Sequence, residues 1–169
     1  NTVTLDFHDS RKLMETFRGS GIKCALIYAG SQKCLWLLYR EQEVQEYLMK
    51  PGHRKFLKDC GYSSFQLKDI LHALRERYHL YKTKQQEFPH ELGLILGYPL
   101  CDVTGFIEYQ GRNYLYSGYW KVYENLEETR KLFDLYDHIR YYMVKQVEYG
   151  KSLEQLMEAY GRRQVPNYA

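Results

Sequence analysis

"IKCALIYAGSQKCLWLLYR", residues 22–40, decides the fold class of this chain. Two apolar runs, IKCALIYA and KCLWLLYR, are separated by Gly30-Ser31-Gln32. Each run is short, carries aromatic or β-branched residues and abuts turn formers, so the pair predicts a β-hairpin rather than a buried helix. Both are nearly continuous in apolar residues, which places them in a sheet covered on at least one face.

Outward from the hairpin the periodicity changes to that of helices. Residues 8–18 predict a short helix stopped by Gly19-Ser20-Gly21, and residues 41–50 a second, interrupted at Pro51-Gly52. A third runs over 53–59 to Gly61, with Ser63 and Gln66 in capping-box spacing before the next. Leu67, Ile70, Leu71, Leu74 and Tyr78 then share one face of an amphipathic helix. Short helices come next near Pro89 and Asp102, and residues 113–124, rich in aromatics, predict the third strand. The longest helix begins at Leu126 and stops at Gly150, and Ser152 caps the last one. The expectation is one α+β domain over 1–169, with residues 1–7 and 161–169 frayed. Its sheet is small, about three-stranded, includes the hairpin and is packed against several helices.

Composition sets the class. A chain of 169 residues with 44% hydrophobic and 27% charged residues can bury a core. No run is long and apolar enough for a membrane span, and the N-terminal residues lack a signal-peptide core, so no membrane role and a cytoplasmic location are expected. Cys24, Cys34, Cys60 and Cys101 show no paired or ligand-like spacing, so neither a disulfide framework nor a metal site is expected. Net charge is +3, too little to imply nucleic acid. Tyrosine is the outlier, at 18 residues, which suits either binding surfaces or a small core with a wet edge.

The most patterned segment is residues 87–125, which runs from Phe88-Pro89-His90-Glu91 through Gly97-Tyr98-Pro99, Asp102-Val103 and Gly105-Phe106-Ile107 to Trp120-Lys121-Val122-Tyr123. Those positions, with Gly93, Leu96, Gly111, Asn113 and Gly118, resemble a bacterial family of uncharacterised proteins common in anaerobic Firmicutes, a domain of unknown function. The resemblance rests on residues 88–123, is joined by the following helix and the "GKSLEQL" segment at 150–156, and implies a fold and a cytosolic setting, with no reaction attached. Two departures stand out: the front segment "LDFHDSRKLMETF" lacks the family's His-Cys-x-Pro-Thr-Leu-like start, and Tyr119 replaces a cysteine that many members carry before the tryptophan.

Packing accounts for part of the segment: Pro89, Gly97 and Pro99 punctuate helices, and Leu92, Ile95 and Leu96 form a core face. His90 can act near neutral pH as a base or ligand, and Glu91 can serve a helix start or a site. No second histidine stands at metalloprotease spacing, and Gly93, Gly97 and Gly105 do not form a phosphate loop. On a strand, Lys121 and Tyr123 share one face and Trp120 and Val122 the other. The expected function is therefore binding, at His90, Glu91, Tyr98, Lys121 and Tyr123. The ligand is a small anionic or flat aromatic molecule, such as a flavin or porphyrin, or a protein partner. No cofactor is specified. The alternative is an enzyme using His90 and Lys121 on a small anionic substrate, although no nucleophile elbow or catalytic triad order is visible. A second alternative is DNA binding through the basic helical hairpin 53–84, which holds 8 Lys and Arg against 3 Asp and Glu, with Ser64, Gln66 and Lys68 facing the duplex.

Overall fold

A computed structural model describes residues 1–160; the tail expected to fray, 161–169, lies outside the described residues. The chain forms two compact units, Asn1–Leu100 and Cys101–Ala169. Both are mixed or helical, and together they give the α+β class.

Unit 1 is organised by a three-stranded antiparallel sheet of order β1-β3-β2: β1 (Thr2–Leu5), β2 (Lys23–Ala29) and β3 (Cys34–Tyr39). The hairpin predicted from residues 22–40 is β2–β3, in register at Ala25↔Leu37, with a bulge between Leu26 and Tyr28. The third strand is not residues 113–124 but the N-terminal segment, paired as Val3↔Trp36. Residues 1–7, expected to fray, are held there, and Leu38 N–H donates to the Asn1 carbonyl at 2.7 Å. Four residues are too few for their alternation to register as a pattern, which is why the strand is hidden in the sequence.

Each face of this sheet is covered, and the covering explains its apolar strands. Helix α1 (Phe7–Thr16) starts where Asp6 accepts the Asp9 N–H at 2.8 Å. Its buried Ser10 accepts the Trp36 indole N–H at 2.9 Å and donates its own hydroxyl to the Asp6 carbonyl. On the other face Leu37, Ala25 and Ile27 join the core with Ile70, Leu71 and Leu74 of α4 (Leu67–Lys82). Leu48 of α2 (Glu41–Leu48) and Leu57 of α3 (Pro51–Asp59) complete it. Pro51 occupies the first turn of α3, where a missing N–H is harmless. The capping box expected at Ser63 and Gln66 does not form. Gln66 itself is the N-cap of α4, and Ser64 accepts its N–H at 3.3 Å while donating to Asp69 at 2.6 Å. Unit 1 closes through α5 (Glu91–Ile95) and Leu100, the first residue of α6 (Leu100–Glu108).

Unit 2 contains the rest of α6, a hairpin of β4 (Tyr116–Ser117) and β5 (Lys121–Val122), α7 (Leu126–Glu148) and α8 (Leu153–Tyr160). Residues 113–124 thus fold on themselves, because Gly118 and Tyr119 turn the chain and Gly118 N–H donates to the Trp120 carbonyl at 3.0 Å. At the start of α8, Ser152 and Gln155 exchange side-chain and backbone hydrogen bonds in a reciprocal cap, at 2.9 and 3.3 Å.

Leu37 is fully buried at the centre of the sheet. Leu37→Ala is expected to cost about 2–5 kcal/mol through lost burial and a residual cavity. A urea midpoint read from the fluorescence of neighbouring Trp36 measures it, and an unchanged midpoint contradicts that packing.

Candidate functional site

The sequence-selected residues are divided between the two units. His90, Glu91 and Tyr98 belong to unit 1, and Lys121 and Tyr123 to unit 2.

In unit 1, Pro89 is fully buried and His90 is the N-cap residue of α5, half-buried, its ring edge-on to Phe88 at 5.4 Å. Glu91 is only 2% exposed. Its Oε1 accepts the Tyr62 hydroxyl at 3.0 Å and lies 2.6 Å from Arg77 Nε. That Nε–H is not aimed at the oxygen, so the contact is an ion pair without an aligned hydrogen bond. The Arg77 fork is fixed from the other side, where Nη1 donates to the Cys60 carbonyl at 2.7 Å. A carboxylate removed from water needs such partners, and losing one strands its charge. Tyr98 contributes its carbonyl to the Tyr47 hydroxyl at 2.8 Å, and burial pushes its own phenol up from the ordinary value. The Glu91 cluster also raises its neighbours. Burial first, then the Glu91 charge, lifts the Cys60 thiol to about 11, and burial with Glu91 raises the Tyr62 phenol further.

In unit 2 the organising group is Asp102, which the sequence showed only as a motif position. It is 2% exposed, in the first turn of α6. Oδ2 accepts the Trp120 indole N–H at 2.7 Å, and Oδ1 accepts the backbone N–H groups of Tyr123 at 2.7 Å and Glu124 at 3.3 Å. Trp120 and Val122 pack inward, Val122 with no exposure and Trp120 edge-on to Phe133 at 4.6 Å. Lys121 and Tyr123 turn the other way. The Lys121 ammonium donates to the Gly111 carbonyl at 2.6 Å and lies 4.7 Å from the Tyr114 ring centroid and 5.7 Å from that of Phe106. The Tyr123 ring packs nearly parallel to Tyr109, centroids 5.8 Å apart. It also lies so close to Gly105 that a Cβ there would meet its Cγ at 2.6 Å. Its hydroxyl is buried and makes no hydrogen bond, and burial raises the phenol, with the Asp102 charge adding to the effect.

Beside these groups, Tyr114, Leu115, Tyr116 and Tyr119 stand on the hairpin at 40–57% exposure. Sequence reasoning missed Asp102, Tyr109 and Tyr114. A lone acid within the apolar stretch "PLCDVTGFI" was the available signal for the first. Ser64, expected to face DNA, is bonded to Asp69. Among the described residues no three His, Cys, Asp or Glu side chains gather in a way that could hold a metal ion. No helix among them is long and apolar enough to cross a membrane.

Fold and site together define a mixed α+β protein in which a helix-covered sheet and a carboxylate-anchored hairpin are the two organising features. The chain belongs to the DUF3793 family of proteins of unknown function, which matches residues 1–157. The match therefore extends well beyond residues 88–123 and includes the divergent front segment. No curated protein and no solved structure matches the chain.

Asp102→Ala is expected to cost about 3–5 kcal/mol, because it leaves an indole N–H and two backbone N–H groups without an acceptor. Asp102→Asn keeps one oxygen and costs less; equal urea midpoints for the two variants would contradict the network. A second expectation concerns alkali. The folded state keeps the Cys60 and Tyr62 protons to higher pH than the unfolded chain does, so it binds more protons above about pH 9. Stability therefore falls as pH rises from 9 through 11, and Tyr62→Phe makes that fall shallower. Urea midpoints between pH 8 and 11 test the sign.

Proposed function

We propose that the protein is a non-catalytic cytoplasmic binding protein whose recognition site is the face of unit 2 carrying Lys121 and Tyr123. The observation that carries the reading is the Tyr123 hydroxyl, shielded from water and without a partner beside an otherwise well-bonded network. Such a group costs free energy unless something bonds to it, and a buried orphan is where a ligand atom or ordered water belongs. Within the same unit the Tyr109 ring packs against the Tyr123 ring, and the Lys121 ammonium, which has two further protons to donate, lies over the half-exposed Tyr114 ring. A flat aromatic ligand bearing an anionic group suits that set, with stacking on tyrosine and charge on lysine. Within unit 1, His90 is a further recognition side chain, while Glu91 and Tyr98 serve the framework through Tyr62, Arg77 and Tyr47. Four unpaired cysteines support a reducing compartment.

A protein partner is the second reading, favoured by the exposed Tyr114, Leu115, Tyr116 and Tyr119 on an anchored hairpin.

Tyr123→Phe separates a binding group from a packing one. Removing an unpaired buried hydroxyl is expected to stabilise the ligand-free protein by about 1 kcal/mol. The same change is expected to abolish retention of the small molecule that native mass spectrometry detects on protein purified from its own host. If the wild-type protein carries no added mass and Tyr123→Phe is destabilising, the ligand reading fails.

A further inference from the structure

From the free edge of the unit 1 sheet we infer a second binding surface: strand β2 accepts an extended acidic peptide as a fourth strand, steered by a row of basic side chains on α4. The inference concerns a different unit from the Lys121 and Tyr123 face and does not rest on the function proposed for it.

The first observation is the edge. With the order β1-β3-β2, strand β2 has one hydrogen-bonded neighbour, and seven residues make it the longer of the two edges. Among the described residues, no backbone-to-backbone hydrogen bond ties Lys23–Ala29 to anything beyond β3. An edge strand of this kind presents unpaired N–H and C=O groups that template another strand. The bulge after Leu26 breaks the regular pairing, so the template is the stretch Lys23–Leu26.

The second observation is charge, and it is independent of the first. Lys68, His72, Arg75, His79 and Lys82 recur at i, i+4, i+7, i+11 and i+14, which puts all five on one face of α4. All five are exposed, and none forms an ion pair among the described residues. The C-terminal part of the row, from Arg75 to Lys82, runs beside β2. Lys82 Nζ lies 5.6 Å from the Tyr28 ring centroid and the His79 ring 6.3 Å from it, while the Arg75 charge acts on Tyr39, which pairs with Lys23. Asp69 and Glu76 lie on the flank of α4 opposite Tyr78, the residue that meets Tyr28, so they are turned away from the strand.

Charge decides among occupants. Two copies joined edge to edge through β2 would bring Lys23 and the α4 rows against each other, and like charges in such juxtaposition oppose pairing. A strand with acidic side chains at alternate positions satisfies both features. Its backbone continues the ladder, one set of side chains meets the α4 row, and the other set faces the α1 side of the sheet. A single-stranded nucleic acid would use the basic row but not the ladder.

The test uses the whole chain and a fluorescently labelled peptide of four Val-Glu repeats, with anisotropy for affinity and hydrogen exchange for location. Binding is expected to protect amides within Lys23–Leu26. It is expected to weaken at least tenfold for a Val-Lys peptide, for a Val-Glu peptide N-methylated at alternate residues, and for the double variant R75E/K82E. Circular dichroism of that variant confirms that it folds. The inference is overturned if the Val-Glu peptide does not bind, or if the N-methylated peptide binds equally, since charge alone then suffices. It is also overturned if the chain is a dimer that protects the same amides, or if oligothymidylate protects them. Tyr123→Phe should leave this affinity unchanged, so the two sites fail or succeed separately.

Discussion

A carboxylate taken out of water has to be bonded on every side that matters, and in meeting that demand Asp102 fixes the chain around it. Its two oxygens receive an indole N–H and two backbone N–H groups from the segment 120–124, 18 to 22 residues further along the chain. The hairpin so gripped has strands of only two residues, far too little to stand alone in water. Its geometry is therefore set by the acid and by Trp120 against Phe133 rather than by its own ladder. Unit 1 applies the same constraint at Glu91, with Tyr62 and Arg77 as the partners. In both units a short, weak element is located by one buried charge.

This logic sorts the patterned residues of 88–123. Gly105 is required by the Tyr123 ring, and Gly118 by the Phe133 ring that a Cβ there would strike. Gly111 takes a positive φ of 71° and presents the carbonyl that fixes Lys121. Once Asp102 holds the Tyr123 backbone and Gly105 admits its ring, the position of the hydroxyl is imposed. Its lack of a partner is then a property of a rigid frame, since a loose side chain would turn toward water instead. Binding sites are commonly prepared in this way, with the cost of the unmatched group borne by the surrounding packing.

The sequence made the hairpin at residues 22–40 legible because two apolar runs around Gly30-Ser31 allow little else. It made α4 and α7 legible through helical spacing, and the Ser152 cap through a serine placed just before the last helix. What it hid has one cause: contacts distant in the chain. Strand β1 is recognisable only once β3 is there to pair with it. The segment 113–124 alternates like a strand, and the turn at Gly118 depends on Phe133 lying beneath it. Of the candidate residues, Lys121 and Tyr123 were rightly expected to share a face away from Trp120 and Val122, since alternation is local. That Glu91 would be enclosed by Arg77 and Tyr62 was not legible, because nothing in "FPHELG" points 14 or 29 residues upstream.

The tyrosine excess admitted two explanations, and the tyrosines of the two units differ in their surroundings. In unit 1 the phenols of Tyr47 and Tyr62 are structural donors, one to a backbone carbonyl and one to the buried Glu91. They are the wet edge of a small core, with apolar rings inside and hydroxyls matched. In unit 2 Tyr109, Tyr114, Tyr116 and Tyr119 expose their rings, and the Tyr119 hydroxyl donates to the exposed Asp137. Rings held rigidly and half in water offer contact area at little entropic cost, which is what recognition asks of a surface. Tyr123 belongs to neither group, being shielded like the first and unmatched unlike it. Asp102 holds its backbone and Gly105 admits its ring, so the hydroxyl is fixed without a partner, and for that reason the proposed binding role rests on Tyr123 rather than on His90 or Glu91.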